Sequence, residues 1–139
     1  MMNVHREVEL AVRIENEPTA LGDVMAALAA AGIGVLAYNS YIDWDGCIVL
    51  LVTDDPPKAK RVLQAAGHKC TANSVIMVGS PGRVGAAARF GAQLGQAGIQ
   101  VLYSYASMSG GNRLSAIFKT ADDERALRAL RPETLADAA

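Results

Sequence analysis

The stretch Ala31–Leu36 reads Ala-Gly-Ile-Gly-Val-Leu, and Ala97–Leu102 repeats it as Ala-Gly-Ile-Gln-Val-Leu (offset 99 − 33 = 66). Upstream, Glu15–Leu21 corresponds in outline to Val78–Val84, because each has a proline three positions before an aliphatic residue (offset 81 − 18 = 63). This alignment puts the three extra residues of the second copy within the helical pattern that follows. The repetition indicates two copies of one supersecondary unit, each of about sixty residues.

The first copy has the pattern of strand, helix, strand, strand, helix and a short last strand. Alternation of apolar and polar residues identifies its first strand, and apolar residues at i, i+3, i+4 and i+7 identify its helices. An Asp-Gly hairpin turn joins the middle strands, and an Asp-Pro pair opens the second helix. The predicted elements are a strand Val8–Ile14, a helix from Pro18 to Gly32, strands Val35–Ile42 and Cys47–Thr53, a helix from Asp55 to Gly67, and a strand around His68–Thr71.

The second copy repeats this order after a turn-like seam at Cys70–Ser74. Its predicted elements are a strand Val75–Val78, a helix with the stripe Ala87, Phe90, Gly91 and Leu94, strands Val101–Ser107 and Leu114–Lys119, and a helix from Asp122 to about Arg131. A closing strand should follow, but Glu133–Ala139 does not have the pattern of one. Either that strand is missing or an element from elsewhere takes its place.

The pattern predicts an α+β protein with two ferredoxin-like βαββαβ units in tandem, each an antiparallel sheet with its helices on one face. We expect a first domain over residues 7–71, a second over residues 72–131 and a C-terminal tail over residues 132–139. The strand segment Ile48–Val52 is apolar at every position, so its face away from the helices should also be shielded from water. A tandem copy or a second chain would shield it, and we therefore expect a homodimer.

Composition excludes several classes of protein. The 139 residues are 51% hydrophobic and 19% charged with a net charge of −1, which excludes disorder and disfavours nucleic-acid binding. No apolar run approaches the ~18–20 residues of a membrane span. Met1–Glu9 lacks the apolar core of a signal peptide, and Cys47 and Cys70 form no Cys-x-x-Cys motif, so we expect a cytoplasmic protein without a metal or other cofactor.

The segments Asn16–Leu21 and Ala31–Val35 together resemble the ACT domain, whose signature is an N-x-P-G-x-L turn, an amphipathic helix and an A-G-I-N-I entry to the second strand. The second copy matches through Ser80–Val84 and Ala97–Val101, and the resemblance covers about residues 7–131. Two residues depart from the signature. Thr19 replaces the turn glycine of the first copy, and Gly79 stands where the family favours Asn or Asp in the second.

The resemblance implies a regulatory module that binds a small ligand, most often an amino acid, and controls a metabolic enzyme. With no catalytic domain attached, the chain looks like a stand-alone tandem-ACT sensor and not an enzyme. In such units the ligand is typically held between the first strand–helix loop of one copy and the second strand of its neighbour. A helix N-terminus there suits the carboxylate of an amino acid, and carbonyls or carboxylates suit its ammonium.

The two strand–helix loops supply the first set of candidate ligand-binding residues. In the first loop, Asn16 and Glu17 are candidate acceptors and the amides of Thr19–Leu21 candidate donors, so the set is Asn16, Glu17, Pro18, Thr19, Ala20 and Leu21. The alternative is that Asn16 caps the helix and Glu17 is only solvated. In the second loop the candidates are Ser80, Gly82 and Arg83, with Arg83 facing a ligand carboxylate; the alternative is an ordinary surface arginine.

The second strands supply the remaining candidates, because tyrosines and short polar side chains gather there. These residues are Asn39, Ser40, Tyr41, Tyr103, Ser104 and Tyr105, which would line a pocket between the copies. The alternative is a sheet edge, where tyrosine is favoured by propensity alone. Asn39 is the more informative residue because mid-strand Asn is otherwise disfavoured.

Two other functions compete with the sensor. One is an interaction-only module that oligomerises and acts on a metabolic enzyme. The other is an acylphosphatase-like hydrolase with Arg83 in a phosphate-binding loop. Against it, a single arginine without a positioned Asn and a residue that orients water is weak evidence for an active site. His5 and His68 lie in neither an acidic nor a cysteine-rich neighbourhood, and we expect both to be ordinary surface residues.

Overall fold

A computed structural model describes residues 2–109 and 112–131. Its elements are β1 (Asn3–Ile14), α1 (Ala20–Ala30), β2 (Val35–Asp43), β3 (Gly46–Thr53), α2 (Pro56–Ala65), β4 (Lys69–Pro81), α3 (Ala86–Gln96), β5 (Val101–Ser109), β6 (Arg113–Thr120) and α4 (Asp123–Leu130). None of the helices in these described ranges is both long and apolar enough to cross a bilayer. The chain divides into two compact units, and each has the α+β, ferredoxin-like architecture that the sequence predicts.

The first unit comprises residues 8–73. Its strands lie in the order β2-β3-β1-β4, and β3 pairs antiparallel with both β1 and β2. Side chains on one sheet face pack with the apolar faces of α1 and α2. The buried core consists of Leu10, Val12, Val24, Leu28, Ile33, Val49, Leu51, Ala59, Leu63 and Cys70.

The second unit comprises the described residues 2–7 and 74–131. Its strands lie in the order β5-β6-β4-β1, with β6 antiparallel to both β4 and β5. Helices α3 and α4 cover one face of this sheet. The buried core consists of Ile76, Val78, Phe90, Leu94, Ile99, Leu114, Ala116, Ala126 and Leu130.

The closing strand of the second unit comes from the start of the chain. Residues 3–7 of β1 group with the second unit, and Met2 and Val4 pack against its core. The first unit is completed in the same way, because residues 69–73 of β4 group with it and Cys70 enters its core. Of the two alternatives, an element from elsewhere is therefore the correct one. The segment Glu133–Ala139 lies outside the described residues.

The turn-like seam at Cys70–Ser74 is wrong as a prediction, because β4 runs without interruption from Lys69 to Pro81. Thr71 and Ala72 are exposed and Ser74 is half-buried, so solvent accessibility accounts for the small and polar residues in mid-strand. The opening segments of β1 and β4 thus serve the opposite unit. Each repeat is strand, helix, strand, strand, helix, with a long first strand.

The structural repeat keeps an offset of 66 residues from its first strand to its second (69 − 3 and 101 − 35), and the offset becomes 67 at its third strand (113 − 46). Helices α1 and α3 both contain 11 residues and begin at Ala20 and Ala86 (86 − 20 = 66), so α3 holds no extra residues. Matching Pro18 with Pro81 is therefore wrong, since Pro18 lies in a loop and Pro81 ends β4. Proline suits both positions, because each tolerates a missing backbone N–H.

Both faces of β3 are buried, as the sequence predicts. Val49 and Leu51 belong to the core beneath the helices, whereas Ile48 and Leu50 alternate with them and are only 6% and 5% exposed. This burial is present within the single chain. The apolar strand therefore does not by itself require a second chain.

Aspartate caps begin α2 and α4, in agreement with the sequence. The Asp55 carboxylate accepts a hydrogen bond from the Lys58 N–H, and the Asp122 carboxylate accepts one from the Arg125 N–H. Beside the second cap, Asp123 accepts a 2.6 Å hydrogen bond from the Thr120 hydroxyl and lies 3.3 Å from the Lys119 ammonium. Burial raises the pKa of the Asp123 carboxyl, but these hydrogen bonds and the Lys119 charge outweigh burial, and the pKa is lowered overall.

Asp123 is expected to stabilise the protein in its ionised form. Its lowered folded pKa means that the contribution is present above the unfolded pKa of about 3.9 and is lost as the pH falls through the folded pKa. Melting temperatures of wild type and Asp123→Asn, measured from about pH 2 to pH 7, should therefore differ most near neutrality and converge in acid. Glu124→Gln, an exposed neighbour, is the control. A constant difference between wild type and Asp123→Asn at every pH would contradict this assignment.

Candidate functional site

A cavity of about 500 Å³ lies within the first unit, where β1 ends and α1 begins. The turn after β2 and the start of β4 complete its walls. The lining residues are Arg13, Ile14, Glu15, Glu17, Ala20, Asp23, Asp45, Gly67, His68 and Lys69. Glu17 and Ala20 of the sequence-predicted set are among them.

The first cavity carries charges of both signs, with carboxylates in excess. Its acidic residues are Glu15, Glu17, Asp23 and Asp45, and its permanent cations are Arg13 and Lys69. Arg13 also donates two 3.0 Å hydrogen bonds to Asp43, which hold the pKa of that carboxyl below its usual value. No three acidic, histidine or cysteine residues in the described ranges form a group able to hold a metal ion.

The N-terminus of α1 contributes to the first cavity through Ala20 and Asp23. Thr19 occupies the N-cap position and makes no side-chain hydrogen bond to the helix. The alternative in which Asn16 caps this helix is therefore not seen, and Asn16 itself is exposed. The N–H groups of Ala20 and Asp23 donate to the Glu17 and Thr19 carbonyls, so the preference of this helix end for a negatively charged ligand group comes from the helix dipole.

A smaller cavity, of about 170 Å³, occupies the corresponding place in the second unit. It lies where β4 ends and α3 begins, next to the start of β1. Its lining residues are Met2, Pro81, Arg83, Val84, Gly85, Ala86 and Arg89. The arginine of the sequence-predicted second loop lines this cavity.

The other two candidates of the second loop are engaged within the protein. Ser80 is fully buried, and its hydroxyl donates a 3.1 Å hydrogen bond to the Pro81 carbonyl. The Gly82 N–H donates to the Asn112 carbonyl, and a Cβ at Gly82 would come within 2.8 Å of Asn112 backbone atoms. A glycine is required here by this close approach of two chain segments.

The candidates on β2 and β5 line neither of these cavities. Asn39 and Tyr41 lie opposite Leu50 and Ile48 of β3, on the sheet face away from the helices. Tyr103 and Tyr105 lie opposite Lys119 and Ile117 in the second unit, in the corresponding positions. Ser40 and Ser104 lie on the opposite face of their strands. A role for these residues in ligand binding stays a prediction.

Sequence reasoning missed several lining residues of the two cavities. These are Met2, Arg13, Asp23, Asp45, His68, Lys69 and Arg89. His68 was expected to be an ordinary surface residue, and it is half-buried in the wall of the first cavity. The helix residues Asp23 and Arg89 could have been paired from the sequence, because the offset of the segments Ala31–Leu36 and Ala97–Leu102 also relates these two positions (89 − 23 = 66).

Solved structures share this fold. A Bacteroides thetaiotaomicron protein, BT0572, is 21% identical with a TM-score of 0.84, over 91% of this chain and 88% of that one. The regulatory subunit of aspartate kinase from Thermus thermophilus, in a ligand-free form, is 18% identical with a TM-score of 0.65, over 92% of this chain and 93% of that one. A structure of aspartokinase alpha and beta subunits gives 21% identity and a TM-score of 0.64, over 93% of each chain.

The comparison with sequence families agrees with the duplicated architecture. No match was found among curated protein sequences. The family model for the ACT domain pair matches residues 2–136, which include the N-terminal strand as well as both repeats. Two ferredoxin-like units with the same order of elements account for the described part of that match. The chain therefore belongs to the ACT domain pair family.

Proposed function

We propose that this chain is a cytoplasmic, non-catalytic regulatory protein that binds an amino acid in the cavity of the first unit. The observation that carries the proposal is the lining of that cavity, which combines cations, carboxylates and an uncapped helix N-terminus in about 500 Å³. A free amino acid presents a carboxylate and an ammonium a few ångströms apart. Both ends have oppositely charged groups available in this lining.

The expected binding mode follows from the distribution of charge. Lys69, together with the positive end of the α1 dipole, would receive the ligand carboxylate, because Arg13 is already paired with Asp43. Glu17 and Asp23 would receive the ammonium. With four carboxylates against two permanent cations, the lining favours a ligand that carries an additional positive charge.

The partner of this regulatory protein is proposed to be a metabolic enzyme. Support comes from the ACT domain pair family and from the similar fold of a regulatory subunit of aspartate kinase. We propose that this enzyme is a separate chain, because the Thermus thermophilus protein of similar fold is a regulatory subunit. The ligand would change the affinity of the protein for that enzyme, and the enzyme would change its affinity for the ligand by the same factor.

An amino-acid panel tests the proposal. At about one hundred times its Kd, a ligand adds about 2.7 kcal/mol to stability, which raises the melting temperature by several degrees. We expect the largest rise with lysine or arginine and the smallest with aspartate or glutamate. The paired variants Glu17→Gln and Asp23→Asn should reduce that rise, whereas Glu124→Gln, an exposed first-turn carboxylate of α4, should leave it unchanged. A rise that persists in both cavity variants would contradict the proposed site.

An interaction-only module is the second candidate, and one observation favours it. The edge strand β2 exposes several apolar side chains, with Leu36 54%, Tyr38 52% and Ile42 63% exposed. Edge strands with exposed apolar residues readily pair with a second chain. If no amino acid raises the melting temperature and light scattering gives the mass of a homodimer, this second function replaces the first.

A further inference from the structure

The two cavities carry opposite charges at equivalent positions of the repeat. Glu17 of the first unit corresponds to Arg83 of the second (83 − 17 = 66), and Asp23 corresponds to Arg89 (89 − 23 = 66). All four residues line their respective cavities. We propose that the second cavity is an anion-binding site, which takes the carboxylate or phosphate group of a small ligand.

Both arginines are available to such a ligand. Among residues 2–109 and 112–131, no carboxylate lies within ion-pair distance of the Arg83 or Arg89 guanidinium. The contacts of Arg89 are to neutral groups: its Nη2 lies 3.5 Å from the Met2 sulfur, and its Cζ lies 5.3 Å from the Phe90 ring centroid. A thioether is a weak acceptor, so most of the hydrogen-bonding capacity of the guanidinium is unused.

The chemistry of the lining specifies an anion. The remaining lining residues are Met2, Pro81, Val84, Gly85 and Ala86, none of which carries a charged side chain. Two like charges beside one small cavity repel each other, and an anion between them removes that repulsion. Guanidinium groups also match the geometry of carboxylate and phosphate oxygens, to which they donate paired hydrogen bonds.

The second site is distinct from the first and independent of the proposed amino-acid binding. Four carboxylates line the first cavity and would repel an anion that carries no ammonium. The second cavity, at about 170 Å³, accommodates a compact anionic group. The duplicated fold therefore gives one chain two sites that select ligands of opposite charge.

Titration of the full chain with inorganic phosphate and with succinate tests this inference, at constant ionic strength and with amide chemical shifts as the readout. We expect saturable shifts of residues 83–89 with a Kd in the millimolar range or below. Arg83→Gln and Arg89→Gln should each weaken binding about tenfold, the equivalent of one charge-assisted hydrogen bond. Arg61→Gln, which removes an exposed arginine from α2, is the control and should leave the Kd unchanged.

The outcomes separate clearly. Saturation by phosphate alone identifies a phosphate group as the ligand, and saturation by succinate alone identifies a carboxylate. The exchange variant with Arg83→Glu and Arg89→Asp gives the cavity first-unit charges and should abolish both titrations. Absence of saturable binding, binding that survives the exchange variant, or equal weakening by Arg61→Gln would overturn the inference. None of these results depends on whether Asp23→Asn alters amino-acid binding.

Discussion

Deletion of residues 2–7 is expected to unfold the second unit while the first unit remains folded. The deletion removes the strand segment that completes the second sheet and takes Met2 and Val4 away from its core. It also removes the part of β1 that lies beside β4 in the second unit. A unit of about sixty residues has only a small free energy of unfolding. The free energy lost with one of its four strands should exceed that value.

Hydrogen exchange measures the result of this deletion unit by unit. Amides of α3 and β6 should lose their protection, whereas amides of α1 and β3 should keep it. Arg6→Ala is the control, since Arg6 is an exposed residue of the same strand segment. Protection retained in α3 and β6 after the deletion would show that the N-terminal strand does not complete the second unit.

Phe90→Ala is expected to destabilise the second unit by about 3–5 kcal/mol, the usual cost of truncating a buried aromatic side chain. Phe90 is fully buried and is the largest such side chain among the described residues. It occupies the place that Val24 has in the first unit (90 − 24 = 66), so the second core is organised around one large ring. The neighbouring helix residues cannot close a cavity of that size without moving the backbone.

Urea unfolding followed by amide signals of the second unit tests this expectation. Signals of the first unit provide an internal reference in the same sample. Gln96→Ala changes an exposed residue of the same helix and should cost less than about 0.5 kcal/mol. A cost below about 1 kcal/mol for Phe90→Ala would mean that the ring is not part of a packed core.

Local patterns predicted the order of the elements because each element carries its own signal. Asp55 and Asp122 each cap a helix by accepting a hydrogen bond from the N–H three positions later. The strands are identified by the alternation of apolar and polar residues. The turn predicted at Cys70–Ser74 is wrong because the local signal there is not specific to a turn. Its polar residues suit an exposed stretch of strand as well as a turn, and only the packing of Cys70 and Ile76 into separate cores distinguishes the two.

The sequence predicted some of the residues that line the cavities and missed others, for a physical reason. Glu17, Ala20 and Arg83 follow from the strand–helix loops, which a short motif identifies. Lys69 and Met2 enter the cavities from closing strands, whose positions depend on contacts between distant parts of the chain. An alignment of Pro18 with Pro81 pairs neither Glu17 nor Arg83 with its structural equivalent. That alignment therefore does not show the reversal of charge between these two positions.

The exchange of strand ends has a consequence for any alteration of the N-terminus. A tag, fusion partner or proteolytic cut at the N-terminus adjoins a strand segment that belongs to the second unit. The rest of that unit lies beyond residue 73. A disruption of the first residues should therefore destabilise α3 and α4, which are distant in sequence, and leave α1 and α2 folded. Each repeat, expressed singly, would carry an overhanging strand and an open sheet edge, so the natural chain behaves as a covalently fused pair of mutually completing halves.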